Sequence, residues 1–263
     1  MNHKPLKLIL AGVLANAAVL ACSGAWAADA GNFSVASGFD YSSGKYGSAD
    51  TTDILTIPVV GIYSSGFWMF KLTVPYVRIT GVGGVLPDGR RVKSTTATAN
   101  ARSTTHSGLG DVIAAASYNL YSGSDDGLRV DLTGKIKFGT ADTTLGTGKN
   151  DYAAQADVYQ RFDGFTAMGA LGYEVLGSPA GVDMNNVVYG VLGGYYQMTG
   201  QTGGGLEMKI AQKPSAIGAE QRELTAYAIH RIDENLKIRG YVLKGFADGS
   251  PDSGFGLLLT AAL

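Results

Sequence analysis

A single cysteine, Cys22, stands in the 263-residue chain, which excludes an internal disulfide and a thiolate metal centre. Histidine is scarce as well, with only His106 and His230 beyond His3. Charge of either sign is neither abundant nor unbalanced: 21 Lys and Arg face 22 Asp and Glu, and charged residues make up 16% of the chain. No nucleic-acid or other polyanionic partner is indicated, and the low charge argues against intrinsic disorder. After residue 28 no stretch approaches the roughly 18 consecutive apolar residues that a membrane-crossing helix needs, so a helical bundle in a bilayer is excluded. Glycine and tyrosine are plentiful instead, at 38 and 14 residues, a bias that suits many turns and strands.

The first residues have the layout of an export signal. Lys4 and Lys7 precede an apolar run from Leu8 to Ala21, and Ala25-Trp26-Ala27 supplies small residues at a cleavage position. The apolar core is shorter than the ~20 residues that span a bilayer, so residues 1–27 read as a removed signal peptide and 28–263 as the mature domain. Cleavage leaves 19 basic against 22 acidic side chains, a net charge of −3. A second reading takes Val19-Leu20-Ala21-Cys22-Ser23 as a loose lipobox, with Cys22 the lipidated first residue.

From residue 31 onward, apolar and polar residues alternate in segments near the ~9–11 residues of a tilted transmembrane strand. The clearest is Leu128 to Phe138: Leu128, Val130, Leu132, Ile136 and Phe138 share one face, and Arg129, Asp131, Thr133, Lys135 and Lys137 share the other. One such strand would look the same in a soluble sandwich, but the rhythm recurs and the chain ends on it. Twelve strands are expected, near 31–41, 53–63, 67–79, 109–120, 127–138, 151–162, 165–176, 186–196, 204–213, 222–232, 236–246 and 255–263. Five short connections, including the hairpin signal Asp163-Gly164, alternate with six longer polar ones, which puts both termini at one end. The fold expected is therefore all-β, a transmembrane antiparallel up-and-down β-barrel of about twelve strands. Ten remain possible if the hairpin at 186–213, with its run Gly203-Gly204-Gly205, is a loop. Phe33, Phe39, Tyr41, Trp68, Phe70, Tyr76, Tyr152 and Phe162 fall where interfacial girdles belong. Gly134 and Gly169 are places where a strand could kink.

Several short blocks are familiar. Ser107-Gly108-Leu109-Gly110-Asp111-Val112 with Tyr118-Asn119-Leu120, then Lys137 to Asp142, Leu145-Gly146-Thr147-Gly148 and Asp151-Tyr152, resemble the outer-membrane family labelled "MetA-pathway of phenol degradation". Val74-Pro75-Tyr76 and Leu171-Gly172-Tyr173 match too, and the likeness covers roughly 50–263, although the family often has proline where Gly139 stands. The resemblance implies a transporter-like barrel in the bacterial outer membrane that admits hydrophobic or aromatic compounds. Phenol itself is not carried over.

By alternation the lumen receives Lys71, Asp111, Arg129, Asp131, Lys135, Lys137, Asp157, Arg161, Glu174, Glu207, Lys209, Glu223, Arg231, Lys237 and Arg239. With both signs present, weak charge selectivity is expected. Arg129, Lys135, Arg161, Glu174 and Arg239 are the candidates for lining a pore, against the plainer reading that such groups pair across the interior and rigidify it. Catalysis finds little support. His106 lies in an expected polar loop beside Ser107, and the acid pairs Asp125-Asp126 and Asp233-Glu234 fall in turns that favour Asp. No catalytic residue and no cofactor are assigned. Asp142, Asp151 and loop carbonyls could hold a hard cation, yet their spacing fits no known metal loop. The segment from Thr80 to Ser107, with Arg90, Arg91, Lys93 and Arg102, is either an inward-folding lid or a mobile basic loop facing lipopolysaccharide.

The function expected is passive uptake of small, hydrophobic or aromatic molecules. The alternatives are a structural or assembly barrel without transport and a barrel-embedded hydrolase. Expected partners are outer-membrane lipid and lipopolysaccharide, the solute, and the barrel-assembly machinery during biogenesis. Mass spectrometry of the exported protein should find Ala28 as the first residue; a lipidated Cys22 would establish the lipoprotein reading instead.

Overall fold

The computed structural model describes residues 31–92, 102–123 and 127–263, together with the backbone of Leu8–Ile9 and Cys22–Ser23, which pair as a separate two-residue ladder. The rest of the expected signal peptide, Lys93, Ser94 to Thr98 and Asp125-Asp126 lie outside the described residues.

The strands are β1 (Asn32–Gly44), β2 (Thr52–Ser65), β3 (Trp68–Gly81), β4 (Thr104–Leu109), β5 (Ile113–Ser122), β6 (Leu128–Lys137) and β7 (Asp151–Arg161). They continue as β8 (Phe165–Val175), β9 (Val187–Gln197), β10 (Thr202–Ala211), β11 (Gln221–Arg231), β12 (Leu236–Gly245) and β13 (Ser253–Ala262). Each pairs antiparallel with its neighbours, and β13 returns to β1, so the sheet closes on itself. β4 lies beside Tyr76–Gly81 of β3 and β5 beside Trp68–Thr73, so the two share one place in the wall. The result is a closed antiparallel barrel of 12 strands.

The dyad rhythm explains the wall. Arg129, Asp131 and Thr133 of β6 are buried on the inner face, whereas Leu132 is exposed on the outer one. The same division runs around the barrel, with Leu171 65% and Leu192 72% exposed on the outside. So extensive an apolar exterior is a lipid-facing surface and not one that water tolerates. Aromatic pairs mark the ends: Trp68 stacks on Phe70 at 5.8 Å, Phe162 on Phe165 at 6.3 Å, and Phe39 meets Phe255 edge-on at 6.0 Å.

The ten-strand alternative does not hold. The glycine run at 203–205 does not dissolve a hairpin, because β9 and β10 pair in register from Tyr189↔Ala211 to Gln197↔Gly203. Its glycines receive inward tyrosines of adjoining strands. A Cβ at Gly203 would sit 2.0 Å from the Tyr195 hydroxyl, and one at Gly205 would sit 2.6 Å from the Tyr227 hydroxyl. Tyr189 lies over Gly172 and Tyr241 over Gly256 in the same way. The ladders run through Gly134 and Gly169 without a break in register.

The wall is irregular where the β5–β6 register shifts between Asn119 and Tyr121, and again at a pair of prolines. Pro58 stands opposite Pro75, neither has an amide hydrogen to donate, and the β1–β2 ladder is interrupted between Ser37↔Val59 and Asp40↔Thr56 with its register unchanged. Beside them the β4–β5 interruption at 110–112 is tied down by the Gly110 amide, which donates to the Pro75 carbonyl at 2.8 Å.

Gly205→Ala should therefore destabilise the barrel by about 1–3 kcal/mol, the usual cost of forcing a group into filled space, because its methyl would also meet the Gly194 carbonyl oxygen at 2.3 Å. Denaturant unfolding in detergent would measure this. Gly134→Ala, whose Cβ has nothing within 4 Å, is the control and should be near neutral.

Candidate functional site in the barrel lumen

The end of the barrel away from the termini is roofed. After β3 the chain turns inward, and a tight hairpin joins the Leu86 amide to the Arg90 carbonyl at 2.8 Å. Val85 packs with Tyr46, Ile54, Val77, Ile79, Ala141 and Leu145, so three connections and the tops of β2 and β3 form one apolar cluster. Tyr46 takes a left-handed backbone, φ 48°, and its hydroxyl meets that of Ser42 at 2.9 Å. The loop reaches the far wall: the Gln221 side-chain amide on β11 donates to the Asp88 carbonyl at 3.4 Å.

Charge pins the loop. Arg90 pairs with Asp88 and donates to Asp151 of β7 at 2.7 Å. Lys137 of β6 bridges Asp151 at 2.9 Å and Asp111 at 3.0 Å. Asp111 also accepts the Ala141 amide at 2.9 Å, and Asp151 accepts the Gly177 amide at 2.9 Å. Burial raises the Asp88 carboxyl, but the charges of Arg90 and Lys137 outweigh it and hold the group below the usual carboxylate range. Under the loop a cavity of about 70 Å³ is lined by Pro75, Leu86, Asp88, Gly110, Asp111 and Lys137, next to the irregular part of the wall.

Toward the end that carries the termini, the lumen is aromatic. Tyr159, Met168, Tyr195, Tyr227 and Ile229 form a buried cluster with Tyr241 against it. Tyr195 and Tyr227 stack with ring centroids 6.4 Å apart, and the Arg239 guanidinium lies 4.3 Å above the Tyr227 ring.

The five pore-lining candidates all fall on the inner face but differ in state. Arg129 is engaged by Asp131, at 3.0 Å from Nε and 2.7 Å from Nη2, and so belongs to the interior packing. Lys135 makes no hydrogen bond or ion pair among the described residues and is only partly buried. Arg161 is exposed at the rim near the termini. Glu174 shares a small cleft with Arg90, Tyr189 and Gln221. Arg239 is buried, and Glu207 is 3.8 Å away.

Other expectations move. His106 is in β4 opposite Ile79 rather than in a loop, with Thr104 at 3.2 Å. Asp233 caps its turn by accepting the amides of Asn235 and Leu236, each at 2.8 Å. Asp142 accepts from Thr144 while Asp151 is held by Arg90 and Lys137, so the imagined cation pair does not form. Two inward acids, Asp40 and Asp151, belong to the lumen although alternation was not used to place them there. Gly139 is fixed by its surroundings. Its amide donates to Asn150 at 3.0 Å, and an added Cβ would lie 2.4 Å from the Lys149 nitrogen.

A closed strand wall, apolar outside and charged within, needs a bilayer around it. The chain is an outer-membrane β-barrel. Its fold is similar to an outer membrane channel from Pseudomonas putida F1, with a TM-score of 0.70 and 12% identity over 90% of this chain and 97% of that one. The beta domain of the Bordetella autotransporter BrkA is similar at a TM-score of 0.52 and 14% identity, over 89% of this chain and 100% of that one. No family model and no curated protein matches the sequence.

Because the Asp88 carboxyl is depressed in the folded protein, its contribution is complete above the ordinary carboxylate pKa of about 4 and is lost as pH falls through the lower folded value. A spin label at Pro87→Cys, in a Cys22→Ser background, should stay immobile from neutral pH down to about pH 4 and loosen in stronger acid. Arg90→Gln should loosen it at neutral pH.

Proposed function

We propose that this protein is a passive outer-membrane channel for small hydrophobic or aromatic molecules. The observation that carries the reading is a lumen paved with tyrosine rings beneath a loop fastened by side-chain pairs and not by strand pairing. Rings that lie over glycines of the next strand keep bulk off the axis and offer flat apolar faces to a solute. A fastened loop can open without breaking the barrel's hydrogen-bond ladder. The fold it shares with the Pseudomonas putida channel supports the reading.

The irregular seam at Pro58, Pro75 and Gly110, with its cavity alongside, is where a solute would leave sideways into the bilayer. Phenol uptake in particular, which the label of the similar family suggests, has no support beyond that likeness. A structural barrel is the second reading, favoured by interior pairs such as Arg129–Asp131 and Lys209–Glu223.

Planar-bilayer recording separates the two. Small steps are expected from the intact protein and at least several-fold larger ones after deletion of residues 84–102. Ion preference should be weak, and Lys135→Gln should shift it more than Arg129→Gln, because Arg129 is already neutralised by Asp131. Silence from both the intact and the deleted protein would leave the structural reading standing.

A further inference from the structure

Arg239 is in an unusual state. It is 5% exposed, and none of its Nε, Nη1 and Nη2 atoms has a hydrogen-bond acceptor among the described residues. The one carboxylate within 4 Å among the described residues, Glu207, stands 3.8 Å off, beyond hydrogen-bond reach. A buried guanidinium is costly unless its planar fork is met, and the group that meets it best is a carboxylate. Two further cations are placed beside it, since Arg231 stands opposite Lys237 on the next inward positions of β11 and β12. Tyr227 lies under the guanidinium and belongs to a buried cluster with Tyr195, Tyr159, Met168 and Ile229.

We propose that Arg239 and this tyrosine wall bind a small aromatic carboxylate, its carboxylate on the guanidinium and its ring among the tyrosines. The site lies near the end that carries both termini, which is periplasmic in barrels of this class. It rests on the reading of the lumen as a solute path and narrows the solute to an anion with one ring. Glu207 is a like-charge neighbour that weakens the site without abolishing it, so the ligand can be held and still released. A neutral ring would leave the guanidinium donors unmet, and an anion without a ring would leave the tyrosine faces unused.

Calorimetric titration of the purified full-length protein in detergent is the test. Benzoate should bind saturably, with benzyl alcohol, acetate and inorganic phosphate each at least ten-fold weaker. Arg239→Gln should lose at least ten-fold in benzoate affinity and Arg239→Lys should recover part of it. Glu207→Gln should bind benzoate several-fold more tightly, and this variant decides the matter if Arg239→Gln does not fold. Absence of saturable benzoate binding, equal binding of benzyl alcohol, acetate or phosphate, or unchanged or weaker affinity in Glu207→Gln would overturn the site. Benzoate binding by a protein that never conducts would instead remove the channel and keep the site.

Discussion

Inside a hydrocarbon layer a backbone amide has no water to turn to, so every strand of this chain must find partners on both sides. The β13–β1 ladder, running from Ser253↔Ser43 to Ala262↔Ser34, meets that demand for the first and last strands at once. Everything inward follows from it, because closure fixes which face of each strand is enclosed. It also explains how the exceptions are handled. Where Pro58 and Pro75 withdraw donors, their carbonyls are still used, by the Ser37 hydroxyl at 2.8 Å and by the Gly110 amide.

The strands were legible in the sequence because their signal is local. Period-two alternation survives in each segment independently, and no distant contact is needed to read Leu128 to Lys137 as two faces. The order of the strands came with it, since an up-and-down barrel pairs neighbours in sequence. What the alternation could not convey was the loop at 82–92, whose shape depends on Asp151 and Gln221, residues far along the chain. Its basic residues looked equally suited to a surface facing lipopolysaccharide. β4 was missed for a related reason: Thr104 to Leu109 is polar on both faces and extends only beside the upper part of β3.

The candidate site was legible in part. Alternation put Arg129, Lys135, Arg161, Glu174 and Arg239 on the inner face, but it cannot say which charges neutralise one another. Arg129 and Asp131 are two apart on one strand and meet directly, whereas Arg239 stays short of Glu207. Tyr76 and Tyr152, two of the residues read as interfacial girdles, are exposed on the outer face. Tyr159, Tyr195 and Tyr227 occupy the charged parity of their strands, and that parity was the available signal that they point inward. Asp40, between two outward aromatics, carried the same signal.

The fit of Tyr195 and Tyr227 against Gly203 and Gly205 has a consequence for how the protein is made. Sliding β10 by two residues would keep inside in and outside out, so hydrophobicity alone does not forbid it. The slide would bring Glu207 or Gln201 under a tyrosine that needs empty space, and the ring would be expelled into the centre. Each such ring and gap therefore acts as a key that accepts one alignment, letting the growing sheet reject mispaired neighbours before the cylinder seals.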